Sequence, residues 1–144
     1  MARPEIALSL VSTPDAAARS AIGKGLDDYN VEQTGIADQT ALDVHVVDEA
    51  SREVVGGLVG RTSLGVFFVD HFYLPAALRR TGLGARILAM AEAEAVQRGC
   101  ARAVLFTMTI QAPAFYENRG YQVFGRVDCE PPGNARVFMK KDLL

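Results

Sequence analysis

The stretch Leu74-Pro75-Ala76-Ala77-Leu78-Arg79-Arg80-Thr81-Gly82-Leu83-Gly84 joins an apolar run, Val66–Leu74, to an amphipathic one that begins at Gly82. From Gly82 to Arg98 the apolar residues Leu83, Ile87, Leu88, Ala91 and Ala95 recur at helical spacing, and Gly99 supplies the stop. A strand therefore feeds a helix through a basic, glycine-bearing turn. The start of a helix presents unpaired N–H groups and the positive end of the helix dipole. Gly82 and Gly84 remove side chains there, and Arg79 and Arg80 add charge, so the pattern predicts a seat for a diphosphate. Two nucleotide motifs do not fit. A P-loop needs Lys followed by Ser or Thr after its last glycine, whereas Ala85-Arg86 follow Gly84. A dinucleotide fingerprint opens its βαβ unit near the start of a parallel sheet and carries an acidic residue about 20 positions on. Here three strands come first, and residues 102–106 are Arg-Ala-Val-Leu-Phe.

N-terminal to this stretch, Ile6, Leu8 and Leu10 alternate with Ala7, Ser9 and Val11, which predicts a strand over 5–11. Thr13-Pro14-Asp15 predicts an N-cap followed by proline in the first helical position, with a helix to Asn30. Residues 31–41 are polar and read as a loop, with a short second helix as the alternative. Leu42–Val47, Val54–Thr62 and Val66–Leu74 read as an antiparallel meander, in which Gly56, Gly57 and Gly60 predict a bulge or a close backbone approach. Further on, Ala103–Met108 reads as a buried strand and Gln111–Asn118 as a short helix stopped by Gly120. Tyr121–Val127 and Arg136–Lys140 read as the last strands. The order β-α-β-β-β-α-β-α-β-β predicts one α/β domain over residues 1–144, a mixed, mostly antiparallel sheet of about seven strands flanked by helices.

The chain has 144 residues, 49% of them hydrophobic and 22% charged, with a formal net charge of −2. That composition supports a packed core and offers no basic field for nucleic acid. Cys100 and Cys129 form neither a disulfide framework nor a metal-ligand spacing, and both read as packing residues. His45, between Val44 and Val46, reads as a strand-surface residue. No N-terminal run reads as a signal peptide and none approaches the roughly 20 apolar residues of a membrane span, so a cytoplasmic protein with no membrane or metal partner is expected.

Leu74-Pro75 through Arg79-x-x-Gly82-x-Gly84 resembles the acetyl-CoA signature of the GNAT superfamily of N-acetyltransferases. A second block, Ala112-Pro113-Ala114-Phe115-Tyr116-Glu117-Asn118-Arg119-Gly120-Tyr121, is similar to that family's downstream motif. The resemblance implies a GNAT-like domain with a V-shaped splay between its two central strands. It also implies acetyl-CoA as co-substrate. Pantetheine would lie along Phe72, Tyr73 and Leu74. The diphosphate would sit on the amides of Arg80, Thr81, Gly82, Leu83, Gly84 and Ala85, reinforced by Arg79 and Arg80. Phe115 and Tyr116 would flank the thioester, and Thr109 stands where the family often has Asn. The residue after the signature's arginine is often Gly in the family and is Arg80 here.

Acetyl transfer to an amine needs a neutral amine, a polarised carbonyl and a proton for the leaving thiolate. Tyr116 matches the family tyrosine that supplies this proton. Candidates for the base are Asp70 and His71, on the strand before the pantetheine residues. Simple alternation sets Asp70 with Phe72 and Leu74, and His71 with Tyr73, on opposite faces, so at most one faces the acceptor. Water can serve instead. Asp27, Asp28, Glu32, Asp38, Asp128 and Glu130 suggest an acidic rim for an amine-bearing acceptor, a small molecule or a protein amine. The apolar alternation in 121–127 and 136–140 predicts a sheet edge available to a homodimer. The alternative to an enzyme is a non-catalytic acyl-CoA-binding module on the same fold.

Overall fold

The computed structural model describes residues 3–111 and 113–144, and the chain divides into two units, Met1–Ala37 and Asp38–Leu144. In the first unit, helix α1 spans Ala16–Thr34. Its N-cap is Asp15, whose carboxylate accepts the Ala18 N–H at 3.0 Å. Pro14 therefore precedes the cap instead of occupying the first turn, because the cap that reaches the third-residue amide is Asp15. The helix continues past Asn30, and Gly35 ends it at φ 72° with its N–H on the Val31 carbonyl at 2.7 Å. The expected loop starts there, without a second helix.

The expected strand over 5–11 does not form. Residues 3–11 carry no ladder, and Ile6, Leu8 and Leu10 are 80%, 95% and 103% exposed. Alternation can choose a face, but a strand persists only where its backbone groups find a neighbouring strand. The sheet therefore has six strands and not about seven.

The second unit holds that sheet. Its strands are β1 (Thr40–Val47), β2 (Val54–Ser63), β3 (Val66–Tyr73), β4 (Arg102–Met108), β5 (Gln122–Cys129) and β6 (Asn134–Asp142). They lie in the order β1-β2-β3-β4-β6-β5. Among the described residues only β3 and β4 pair in parallel, and α2 (Leu83–Gln97) crosses between them. Of the last two strands, expected to leave a sheet edge, β5 is that edge and β6 is interior, because β6 pairs with both β4 and β5; β1 is the other outer strand. No helix among the described residues is long and apolar enough to cross a membrane.

The core explains the arrangement. Ile87, Leu88, Ala91 and Ala95 form the buried stripe of α2. They pack with Leu58, Phe67, Val69, Leu105 and Met139 of the sheet. Each large apolar side chain so buried contributes roughly 1.5–3 kcal/mol relative to exposure. Alanines at 91 and 95 let the helix axis approach closely. Arg98 then fastens the end of α2 to the meander, donating to the Ala41 carbonyl at 2.9 Å and to Thr62 Oγ1 at 3.1 Å.

The β2 glycines fit because neighbouring backbone leaves no space. A Cβ on Gly57, at φ +140°, would stand 2.1 Å from the Val44 carbonyl oxygen, and one on Gly60 would stand 2.6 Å from that of Phe68. Gly25, inside α1, meets nothing within 4 Å. Gly57→Ala is therefore expected to lower unfolding stability by about 3 kcal/mol or more, through strain and steric overlap. Gly25→Ala is expected to leave stability unchanged or raise it by about 0.5–1 kcal/mol. Denaturant unfolding of the two variants beside the parent checks both.

Candidate functional site

The turn between β3 and α2 is tied to itself. A short 3-10 turn, Ala76–Leu78, follows Pro75. Arg79 folds back so that its Nε donates to the Leu74 carbonyl at 2.8 Å, and its guanidinium lies 5.9 Å from the centre of the Tyr73 ring. Thr81 Oγ1 donates to the Leu78 carbonyl at 2.8 Å. Arg80 is exposed and holds φ 60°, a left-handed conformation that costs a non-glycine residue on the order of 1 kcal/mol.

The two glycines have different reasons. Gly82 caps α2 at φ 82°, with open space around it. Gly84 has ordinary space on most sides, but a Cβ there would stand 3.3 Å from Cζ of Phe115. The first-turn amides of α2, including those of Leu83, Gly84 and Ala85, have no carbonyl inside the helix to bond, which is the condition for holding an anion. Leu83 N–H has only a long contact, 3.4 Å, with Thr81 Oγ1.

The ladder beside this turn is shorter than the strands that make it. The parallel ladder runs from Val66↔Arg102 to Val69↔Leu105, yet β3 continues to Tyr73 and β4 to Met108. Over 71–73 the β3 backbone pairs with β2 on one side, and the β4 ladder no longer reaches the other. Phe72 and Leu74 pack against the core, while Tyr73 is exposed.

An aromatic column stands at the end of β3. Phe115 and Tyr116 lie on α3 (Pro113–Glu117). The Phe115 ring stands edge-on to Phe72 at 6.0 Å and to Tyr116 at 5.1 Å, and Tyr116 stands edge-on to Tyr121 at 5.8 Å. Burial pushes the Tyr116 phenol up to about 12, so it is a protonated donor across the neutral range. The Tyr121 phenol is also pushed up, by burial and by the Glu92 carboxylate that accepts its hydrogen at 2.8 Å. Tyr121 is thus committed to Glu92, whose other oxygen takes Lys141 Nζ at 2.7 Å. Ala112, which begins the second sequence block, lies outside the described residues.

Asp70 and His71 depart from simple alternation. Val59 pairs with His71 and Gly60 with Val69, so Asp70 is the extra residue of a β-bulge. Val69 and Phe72 pack in the core, and the two residues between them both turn to the other face. The expectation of opposite faces fails for this reason. Asp70 is ion-paired with Arg61 at 2.5 Å, and the Arg61 guanidinium covers the Phe68 ring. His71 lines a hollow of about 250 Å³ together with His45, Val59, Gly57 and Tyr73.

Thr109 is engaged elsewhere. Its hydroxyl donates to Asn134 Oδ1 at 2.6 Å and accepts the Ala135 N–H at 3.0 Å, which ties the end of β4 to β6. Of the acidic residues, Asp28 pairs with Lys24 and Asp128 with Arg126, and Asp38 accepts the Leu64 N–H at 3.0 Å. Cys100 is buried, and no group of three metal-ligating side chains occurs among the described residues. Arg119, Glu92 and Lys141 come together only in the fold. The only signal for Arg119 was its place inside the second block, and the other two lie far apart in the chain.

Residues 26–143 match the profile of the acetyltransferase (GNAT) domain. An acetyltransferase of Agrobacterium fabrum is 34% identical over 132 residues, 92% of this chain and 96% of that protein. The blasticidin-S acetyltransferase of Streptomyces morookaense is 37% identical over 92 residues, 63% of this chain and 68% of its own length. The crystal structure of an acetyltransferase from Agrobacterium tumefaciens matches at a TM-score of 0.86 and 33% identity, covering 95% of this chain and 99% of that one.

A branched side chain at 84 would press on Phe115 and shade the amides of the turn. Gly84→Val is therefore expected to weaken acetyl-CoA binding by at least ~10-fold, the loss of about one charge-assisted contact, while the cooperative thermal transition persists. Calorimetric titration and a melting curve check the two halves separately.

Proposed function

The chain belongs to the GNAT family of acetyltransferases and is an acetyl-CoA-dependent acyltransferase, and we propose that it transfers the acetyl group to a primary amine by direct attack. In this reading the whole chain serves as one acetyltransferase domain. The observation that carries it is the run Gly84–Phe115–Tyr116, in which a Cβ on Gly84 would stand 3.3 Å from the Phe115 ring and that ring stands edge-on to Tyr116. It joins a helix start suited to a diphosphate to a buried, protonated phenol, beside the β3 backbone that β4 has left. Pantetheine would enter this V-shaped gap and bond along Phe72, Tyr73 and Leu74 as an added strand would, with Arg79 and Arg80 flanking the diphosphate.

The amine nitrogen attacks the thioester carbonyl carbon, the C–N bond forms, and the C–S bond breaks with its electron pair on sulfur. The Tyr116 hydroxyl gives its proton to that thiolate and recovers one from solvent. The proton lost by the amine goes to water or to His71, which faces the 250 Å³ hollow on the sheet face turned away from the core. Asp70 shares that face but is held by Arg61, so it orients charge there and His71 is the better base. The blasticidin-S acetyltransferase relationship favours a small amine-bearing molecule over a protein as acceptor. Pairing of the outer strand β5 with a second copy is the proposed homodimer contact, and the cytoplasm the proposed site of action.

Tyr116→Phe keeps the ring and removes the proton. It is expected to cut turnover by about 10²-fold or more, the usual worth of a positioned general acid, with acetyl-CoA affinity unchanged. Thiol release with an accepting amine, beside calorimetry, measures both; unchanged turnover removes Tyr116 from the chemistry. Because a phenol pushed up to about 12 stays protonated below that value, turnover should rise with pH as the amine loses its proton and then level. A descending limb near about pH 8–9 would contradict this assignment.

A further inference from the structure

Gly57 leaves a slot on the sheet face turned away from the core. His45 on β1 pairs with Gly57 on β2, and Gly57 pairs with Tyr73 on β3. Across the three strands the row reads imidazole, no side chain, phenol. Gly57 is bare by necessity, because a Cβ there would stand 2.1 Å from the Val44 carbonyl oxygen. Neighbouring strands lie about 4.8 Å apart, so the backbones that carry the two rings are about 10 Å apart. Flat groups touch at about 3.5 Å, so two rings leaning over a bare glycine leave space for one flat ring between them.

This slot is the middle of the hollow of about 250 Å³. Val59, which pairs with His71, and Val54 supply its apolar walls, and they are 44% and 59% exposed. No carboxylate, lysine or arginine side chain among the described residues lines it. Its polar groups are two imidazoles and a phenol, and each can donate or accept a hydrogen bond. Such a lining suits a flat, uncharged, hydrogen-bonding group. The Arg79 guanidinium, 5.9 Å from the centre of the Tyr73 ring, steadies one wall. Tyr73 also ends β3, where the ladder to β4 has already stopped.

We propose that the acceptor carries a flat unsaturated ring, which lies over Gly57 between His45 and Tyr73, and that His45 is a specificity-determining residue. The inference rests on the amine-acceptor reading above and narrows its substrate class. A ring held in the slot sets an amine on a short arm at the end of β3, beside His71. A saturated ring of the same size is puckered and cannot keep both faces in contact.

The chain has two histidines, His45 and His71, and both line the hollow. Their imidazole C–H proton resonances therefore report on it directly. The full-length protein is titrated with benzamide and with cyclohexanecarboxamide, which differ in flatness and carry no acceptor amine. Benzamide is expected to shift the imidazole resonances saturably through its ring current, and cyclohexanecarboxamide to bind ~10-fold more weakly or less. Thiol release from acetyl-CoA with benzylamine and with cyclohexylmethylamine reads the same difference in turnover. Benzylamine is expected to have a kcat/KM ~10-fold or more higher, mostly through KM, the worth of two aromatic faces. His45→Ala should remove most of that preference, and His45→Phe, which keeps a flat ring, should retain it. Imidazole resonances that respond alike to both amides, or to neither, overturn the slot and leave the transferase reading intact. Selective shifts with equal turnover of the two amines overturn the slot's part in acceptor choice. Selective shifts with thiol release from neither amine overturn the amine reading and this assignment together. If His45→Ala does not fold, the two amides and the two amines with the parent protein still decide it.

Discussion

Parallel neighbours cannot be joined by a tight turn, and β3 and β4 are such neighbours. The chain between them has to travel back along the sheet, and α2 makes that journey with its start at the end of β3. One topological requirement therefore sets a row of helix amides beside the last residues of a strand. The packing of Ile87, Leu88, Ala91 and Ala95 on the sheet holds the helix to that position. The β3–β4 ladder ends at Val69 and Leu105, on the same side as the helix start. A backbone edge, a set of helix amides and a basic turn all meet there because one crossover requires it.

The aromatic column depends on that frame. Phe72 stands at the end of β3, and Phe115 and Tyr116 on α3 reach back to it from beyond β4. Gly84 leaves room for the Phe115 ring, so the signature glycine serves the protein's own packing as well as any ligand. Two tyrosines five positions apart then take different parts. Tyr121 is buried and gives its hydrogen to Glu92, a structural bond that links α2 to the β5 end of the sheet. The Tyr116 phenol is raised by burial alone, which leaves it protonated and uncommitted to a carboxylate. Identical side chains thus differ in use through what stands next to them.

A comparable division runs across the sheet. Its core-facing side carries the apolar contacts to α2, whereas the bulge in β3 sends both Asp70 and His71 to the other side. An extra residue in a ladder reverses the parity of everything after it, so one insertion decides whether two polar groups can cooperate. The Arg61–Asp70 pair is exposed and adds little stability. Its effect is to occupy the carboxylate and leave the neighbouring imidazole as the group next to the hollow.

The helix over Leu83–Gln97, its stop at Gly99 with a φ of 88°, the meander before it and the two family motifs were legible in the sequence, because each rests on local spacing. Helical period, a left-handed cap and a β-branched run are properties of a few consecutive residues. The tertiary structure decided the rest. It left 5–11 without a strand partner, despite an alternation as regular as that of β1. It put Asp70 and His71 on one face and bound the Thr109 hydroxyl to Asn134. It also brought Arg119, Glu92 and Lys141 together around one recess. Each of these depends on which distant backbone or side chain arrives next to a residue, and no local pattern encodes that arrival.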